Sequence, residues 1–416
     1  MSGQRRRVVV TGVGAVTPLA VGARASWEAL LSGRSGIAPI TLYDHSQHDV
    51  HIAGEVKNFD AGQHLDRREA KRMDRFTQLA MVAANEAIAD ARLDFAKEDT
   101  ARVGVVVGTG IGGITEIEEQ KERLMTKGPG RVSPFLIPKL MANAAAGQIS
   151  IRHKLRGPNF CIVTACASGA NSLEAALRLV QYGLCDLVIS GGTEAAVTPL
   201  GMAGFANMGA LSKRGGDPAK ASRPFDKDRD GFVMGEGAGI VVLEEFEHAA
   251  RRDARMYAEL AGCGLSGDGF HITAPAEDGD GGIRSMLGAL ADAGLRAEDV
   301  DYINSHGTST PFNDKVETLA IKKALGERAY RIAVNSTKSM TGHTLGAAGG
   351  IEAVVVALSI ASDRVHPTIN RETPDPDCDL DYVVEGARAM TVRAALSNSL
   401  GFGGHNATLA FKKVKR

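Results

Sequence analysis

Aromatic residues are scarce in this chain, at 5% of 416 residues with a single tryptophan, so Ala, Val, Leu and Ile must fill the core. Small side chains demand close backbone packing, which 49 glycines can supply. An excess of charge of one sign is also missing. Lys and Arg total 48 against 49 Asp and Glu, a net charge of −1 that argues against non-specific nucleic-acid binding and leaves room only for a local basic face. The five cysteines, at 161, 166, 185, 263 and 378, form no C-x-x-C pair. With no secretory pattern either, the expectation is free thiols in a reducing, cytoplasmic compartment. No apolar run is read as reaching the roughly 18 residues of a membrane span. Arg5-Arg6-Arg7 precedes too short an apolar stretch for a targeting peptide and leads instead into a first strand.

The length suits two packed halves of about 150–250 residues each, divided here as 1–255 and 256–416. β-Branched runs at Arg7–Thr11, Val103–Val107, Phe160–Val163, Leu187–Ser190, Gly239–Leu243, Val300–Asn304, Ile332–Asn335 and Ala407–Phe411 read as strands. Ala-rich segments at Phe76–Ala91, Ser168–Tyr182, Gly282–Ala293 and Ala347–Ala361 read as helices between them, which implies an α/β fold with buried sheets. The halves echo each other. Asn159–Tyr182 and Ile332–Ala361 both run strand, small-residue turn and Ala-rich helix, with Glu174 opposite Glu352, so an internal duplication is expected. The charged segment Glu245–Ala258 is the passage between them.

Three turns carry the chemistry. Cys166 lies in Thr164-Ala165-Cys166-Ala167-Ser168-Gly169, just before a helix whose dipole would lower its pKa. His306 opens His306-Gly307-Thr308-Ser309-Thr310 at a strand end, and His343 ends Lys338-Ser339-Met340-Thr341-Gly342-His343. Zinc-type ligand spacings are absent, so two neutral imidazoles donating from Nε2 to a developing enolate fit better than a metal. Lys338 and Glu352 flank His343 and could set its tautomer and charge, or form an ordinary buried pair. Gly401-Phe402-Gly403-Gly404 could offer backbone N–H groups to an oxyanion, or be a plain turn between strands.

Two further features divide the readings. Gly108, Gly110 and Gly113 satisfy G-x-G-x-x-G after a strand, yet no second strand and ribose-binding acid follow, so a dinucleotide site is discounted. Arg68, Lys71, Arg72 and Arg75 fall at helical spacing as one basic stripe, either a solvated face or a dock for an acidic partner.

Taken together these segments resemble the β-ketoacyl-[acyl-carrier-protein] synthases of the thiolase superfamily, most closely the elongating type II members. The most specific are Thr164–Gly169, His306–Pro311, Lys338–Gly346 and Arg223–Phe232, and the likeness runs from Val8 to Leu409. The resemblance implies a five-layered αβαβα fold of two duplicated halves in a homodimer. It also implies ping-pong chemistry. Cys166 would take the acyl group in an oxyanion hole of the Cys166 and Phe402 N–H groups, and His306 and His343 would stabilise the enolate left when malonyl-carrier loses CO₂. Lys338 and Glu352 would support His343.

By the same likeness Thr308 and Thr310 would bind the phosphopantetheine arm. Ile111, Phe205, Gly401 and Gly403 would line the acyl and substrate site, with Phe402 as the gating ring. Arg68, Lys71 and Arg72 would meet the acyl carrier protein. No metal or resident cofactor is implied, since the pantetheine arrives on the carrier. A second cysteine or an asparagine at the third catalytic position would mark other branches; His343 stands there instead. Leu400, His405 and Ala274 depart from common family residues, which leaves chain length and gating open. Rival readings are a type II polyketide ketosynthase, an NAD-dependent oxidoreductase, and a scaffold in which Cys166 is inert.

Overall fold

The computed structural model describes residues 5–415. In the first half, strands β1 (Val8–Val16), β2 (Val103–Gly108), β3 (Asn159–Phe160), β4 (Leu187–Glu194) and β5 (Gly237–Glu245) line up as β3-β2-β4-β5-β1. In the second, β6 (Ala258–Gly267), β7 (Tyr302–Asn304), β8 (Ala333–Asn335), β9 (Ala394–Gly401) and β10 (His405–Lys412) line up as β8-β7-β9-β10-β6. Counted along its own half, each sheet has the order 3-2-4-5-1. The pairing signs match as well, with the first-to-fifth and fourth-to-fifth strand pairs antiparallel and the others parallel. The duplication glimpsed in a few sequence identities is therefore explicit in topology. The sheets touch where Val9 and Val10 of β1 pair with Glu259 and Ala258 of β6.

Four helices complete the layers. Helix α1 (Arg75–Asp90) covers the first sheet from outside, and α3 (Asp280–Ala293) covers the second. Between the sheets lie α2 (Ser168–Gln181) and α4 (Ala348–Ser362), each packed against strands of both. A Cβ on Gly169 would sit 2.7 Å from the Gly350 backbone nitrogen, so the central helices cross backbone against backbone. That crossing decides the site, because Cys166 and His343 lie just before the N-termini of these two helices.

Several expectations need correction. The span Leu345–Ser362 is apolar enough over 18 residues to pass for a membrane crossing, contrary to the reading of the sequence, yet 89% of it is buried here between two sheets. Strands β6 and β9 went unread because Ala-Glu-Leu-Ala-Gly-Cys-Gly and Ala-Ala-Leu-Ser-Asn-Ser-Leu lack β-branched residues, and pairing with β10 holds both. The Phe160–Val163 strand shrinks to the exposed edge pair Asn159–Phe160. A helix over Pro311–Leu325, capped by the Thr310 side chain, also went unread. The basic stripe is broken. Within the stripe the first helix covers only Arg67–Ala70 and ends before α1 begins, and Arg75 turns inward to a bidentate pair with buried Glu236 at 2.6 and 2.7 Å. Arg68, Lys71 and Arg72 remain exposed.

Candidate active site

Cys166 sits in a turn that needs Ala165 in the left-handed region, at φ 49°. The Ser168 hydroxyl pins this turn, accepting from Thr164 N at 2.9 Å and donating to Ala165 O at 2.7 Å. Holding a non-glycine residue there costs about 1 kcal/mol or more, and the turn places the buried Cys166 in the wall of a cavity. Burial pushes that thiol up to about 11, against the opposing pull of the Phe402 N–H and the Lys338 charge. The helix-dipole expectation for Cys166 therefore fails at rest, since desolvation outweighs a dipole two residues away. Burial likewise raises Cys161, Cys185, Cys263 and Cys378, and all five thiols are free.

His306 follows β7, and its turn is gripped from behind. The carboxylate of buried Glu317 accepts the backbone N–H groups of His306 and Gly307, each at 2.8 Å, and the Asn398 amide at 3.2 Å. His343 is held by backbone bonds to Val233 and from Gly235. Its Nδ1 accepts Leu345 N at 3.3 Å, which leaves the proton on Nε2. Burial first, and then the Lys338 charge, holds both imidazoles well below 6.5, so both are neutral. Lys338 pairs with Glu352 of α4, both fully buried, and burial raises the Glu352 carboxyl to about 7.

One cavity of about 310 Å³ brings together Cys166, His306, His343, Phe205, Thr308, Thr310, Gly401 and Phe402. Leu400 and Ala274 line it as well. The Thr308 and Thr310 hydroxyls lie 2.9 Å apart on one wall. A Cβ on Gly401 would stand 3.2 Å from Cys166 N and 2.9 Å from Thr164 O, so only glycine lets this loop lie against the nucleophile turn. The Phe402 ring is tilted against Phe205 with centroids 6.4 Å apart.

Other named residues lie elsewhere. Ile111 and Gly403 do not line this cavity; Ile111 is 38% exposed. Lys338 and Glu352 stand outside the lining, and Lys338 acts on the thiol and both imidazoles through its charge. Glu174, the sequence counterpart of Glu352, pairs instead with Arg178 at 3.0 Å. Glu317 escaped the sequence reading because it reaches the histidine turn from an unread helix. Arg229, inside the singled-out Arg223–Phe232 segment, was given no role there; its guanidinium donates to the Thr310 and Pro311 carbonyls at 3.0 and 2.9 Å and stiffens the threonine wall.

The chain is 57% identical over 412 residues, 99% of either chain, to 3-oxoacyl-[acyl-carrier-protein] synthase 2 of Synechocystis sp.. It is 53% identical over the same length to the enzyme of that name from Staphylococcus aureus. Among solved structures, a type II PKS acyl-carrier protein in complex with its ketosynthase superposes with TM-score 0.92 at 37% identity, over 99% of this chain and 100% of that one. A beta-ketoacyl synthase from Burkholderia phymatum superposes at 0.91 with 33% identity and the same coverage. Residues 5–249 match the family model of the beta-ketoacyl synthase N-terminal domain and 257–372 that of the C-terminal domain, so the chain belongs to the beta-ketoacyl synthase family.

Proposed function

We propose that this chain is a 3-oxoacyl-[acyl-carrier-protein] synthase that elongates acyl chains in fatty acid synthesis. The observation that carries the proposal is the meeting of Cys166, His306 and His343 in one buried cavity beneath the Phe402 loop. In the first half-reaction the Cys166 sulfur attacks an acyl-carrier thioester. The carbonyl oxygen takes negative charge in reach of the Cys166 and Phe402 N–H groups, the carrier thiolate leaves, and the thiol proton follows it. In the second, malonyl-carrier loses CO₂, and the electron pair of the broken C–C bond passes into an enolate. Neutral His306 and His343, both buried and held by their turns, each donate a hydrogen bond to that oxygen, so little reorganisation is needed. The enolate carbon attacks the acyl-cysteine, a C–C bond forms, and Cys166 leaves as thiolate and takes up a proton.

Arg68, Lys71 and Arg72 form the exposed basic face that meets the acidic carrier, whose pantetheine arm passes Thr308 and Thr310. No resident cofactor or metal takes part. Two copies associate through the exposed β3 edge, where Phe160 and Val163 stand bare of partners within the described chain, as unpaired strand edges invite. The halves divide at residue 255, and the enzyme works in the cytoplasm. A polyketide role is the second reading, favoured by the 36% identical ishigamide ketosynthase/chain length factor, which superposes at TM-score 0.93.

Intact mass after mixing with a series of acyl carrier thioesters, beside Cys166→Ala, tests the proposal. The expected result is one acyl adduct, absent in the variant and discharged by malonyl-carrier with release of CO₂. No adduct at any chain length on folded protein would overturn it. Condensation only after a second, cysteine-less chain is added would move the assignment to the polyketide reading.

A further inference from the structure

Glu194, at the end of β4, is wholly buried, and among the described residues no cation is one of its hydrogen-bond partners. Its Oε1 accepts the Thr109 hydroxyl at 2.8 Å and Ile111 N at 3.2 Å; its Oε2 accepts Gly110 N at 2.7 Å and Gly346 N at 3.1 Å. Charge-assisted bonds of this kind offset the desolvation of a carboxylate only when the set is complete. The glycine-rich turn that looked like a dinucleotide cradle is therefore already occupied by the protein's own carboxyl group, which burial raises above the usual range against the pull of these four donors. A Cβ on either Gly110 or Gly346 would come within 2.8 Å of Oε2, so both glycines clear space for it.

The partners belong to different halves. Thr109, Gly110 and Ile111 follow β2, next to Ala165 of the nucleophile turn, while Gly346 ends the turn that begins at His343. Within that turn Leu345, at φ 49°, points its N–H at His343 Nδ1, the bond that puts the imidazole proton on Nε2. Gly346 N belongs to the peptide that follows Leu345, so the Glu194 bond pins one side of the residue whose own N–H faces His343.

We infer that Glu194 is a positioning residue that couples the Thr109–Ile111 turn to the tautomer and aim of His343, and so serves enolate formation more than acyl transfer. This rests on the condensing reaction proposed above. Glutamine is not a neutral stand-in, since three partners are backbone N–H groups and its own NH₂ would face at least one of them. Glu194→Gln should slow CO₂ release from malonyl-carrier about ten-fold or more at unchanged KM, because a misaimed enolate donor costs transition-state binding. Acylation of Cys166 should fall less than about three-fold, being a step that does not use the His343 donor.

The experiment measures both half-reactions, adduct formation by mass and CO₂ release, for wild type, Glu194→Gln, Thr109→Val and Thr109→Ser. Thr109→Val removes one donor and should show a milder version of the same split; Thr109→Ser keeps the hydroxyl and should restore the wild-type ratio. If Glu194→Gln does not fold, the threonine pair decides alone. Equal loss of both half-reactions, or no loss in folded Thr109→Val, overturns the inference. Absence of an adduct on wild type would instead overturn the proposed reaction itself, so the two failures are told apart.

Discussion

The imidazoles of His306 and His343 meet edge to face, with centroids 5.1 Å apart and planes at 87°. Both are buried beside Lys338, and a proton on either would face that charge and lose its water. The neutral form therefore persists below the ordinary histidine range. CO₂ release should show no acid limb centred near pH 6.5. Glu352, raised to about 7, does titrate in that window, and its protonation strips Lys338 of its counter-charge, which drives the imidazoles further from protonation. Any inflection near 7 should thus vanish in Glu352→Gln. A pH–rate profile of the decarboxylation step checks both points, and a limb at 6.5 that persists in the variant counts against them.

The resting thiol of Cys166, raised to about 11, gives a quieter nucleophile than its place before a helix implies. Alkylation by iodoacetamide at pH 7 should be slow and should climb about ten-fold per pH unit up to pH 9, as expected when thiolate fraction limits the rate. A plateau already reached near pH 7 would mean that the thiolate is stabilised in the resting enzyme.

Gly401→Ala tests the contact between the Phe402 loop and the nucleophile turn. Its new Cβ, 3.2 Å from Cys166 N and 2.9 Å from Thr164 O, must push the loop outward. Displacing the Phe402 N–H should cost about 10²-fold in acyl transfer, the scale of a lost oxyanion donor. Thermal unfolding should change little, because the loop lines a cavity. Wild-type acylation rates would show that the loop is not part of the oxyanion site.

The broken basic stripe makes a contrast of two variants. Arg75→Met leaves Glu236 buried and unpaired and should cost about 3–5 kcal/mol, read by urea unfolding. Arg68→Glu with Lys71→Glu should leave stability nearly unchanged and weaken carrier binding, with the deficit shrinking as salt rises. Unchanged affinity at low salt would place the dock elsewhere.

The catalytic trio was legible because each member sits in a local pattern, an apolar run that ends in a turn of small residues. Glu317 and Glu194 were not, for each acts on backbone N–H groups distant in sequence, and nothing near either residue advertises that. Arg75 was misread for the opposite reason. Its helical spacing from Lys71 and Arg72 was real on paper, but Asp74 restarts the helix there, accepting Phe76 N at 3.3 Å. Ile111 fared in the same way: the chain position was readable, whereas its distance from the cavity depends on which turn wraps Glu194.

By itself the sequence determined the class of fold, the nucleophile and its two imidazoles, since periodicity and turn chemistry are local properties of a chain. Tertiary structure alone decided the protonation of that site and its closure. A thiol near 11 and a carboxyl near 7 follow from burial against the pull of Lys338, and two neutral imidazoles from burial together with that charge, which reaches them only after the central helices cross at Gly169 and Gly350. Desolvation belongs to the packed interior, and no stretch of sequence carries it.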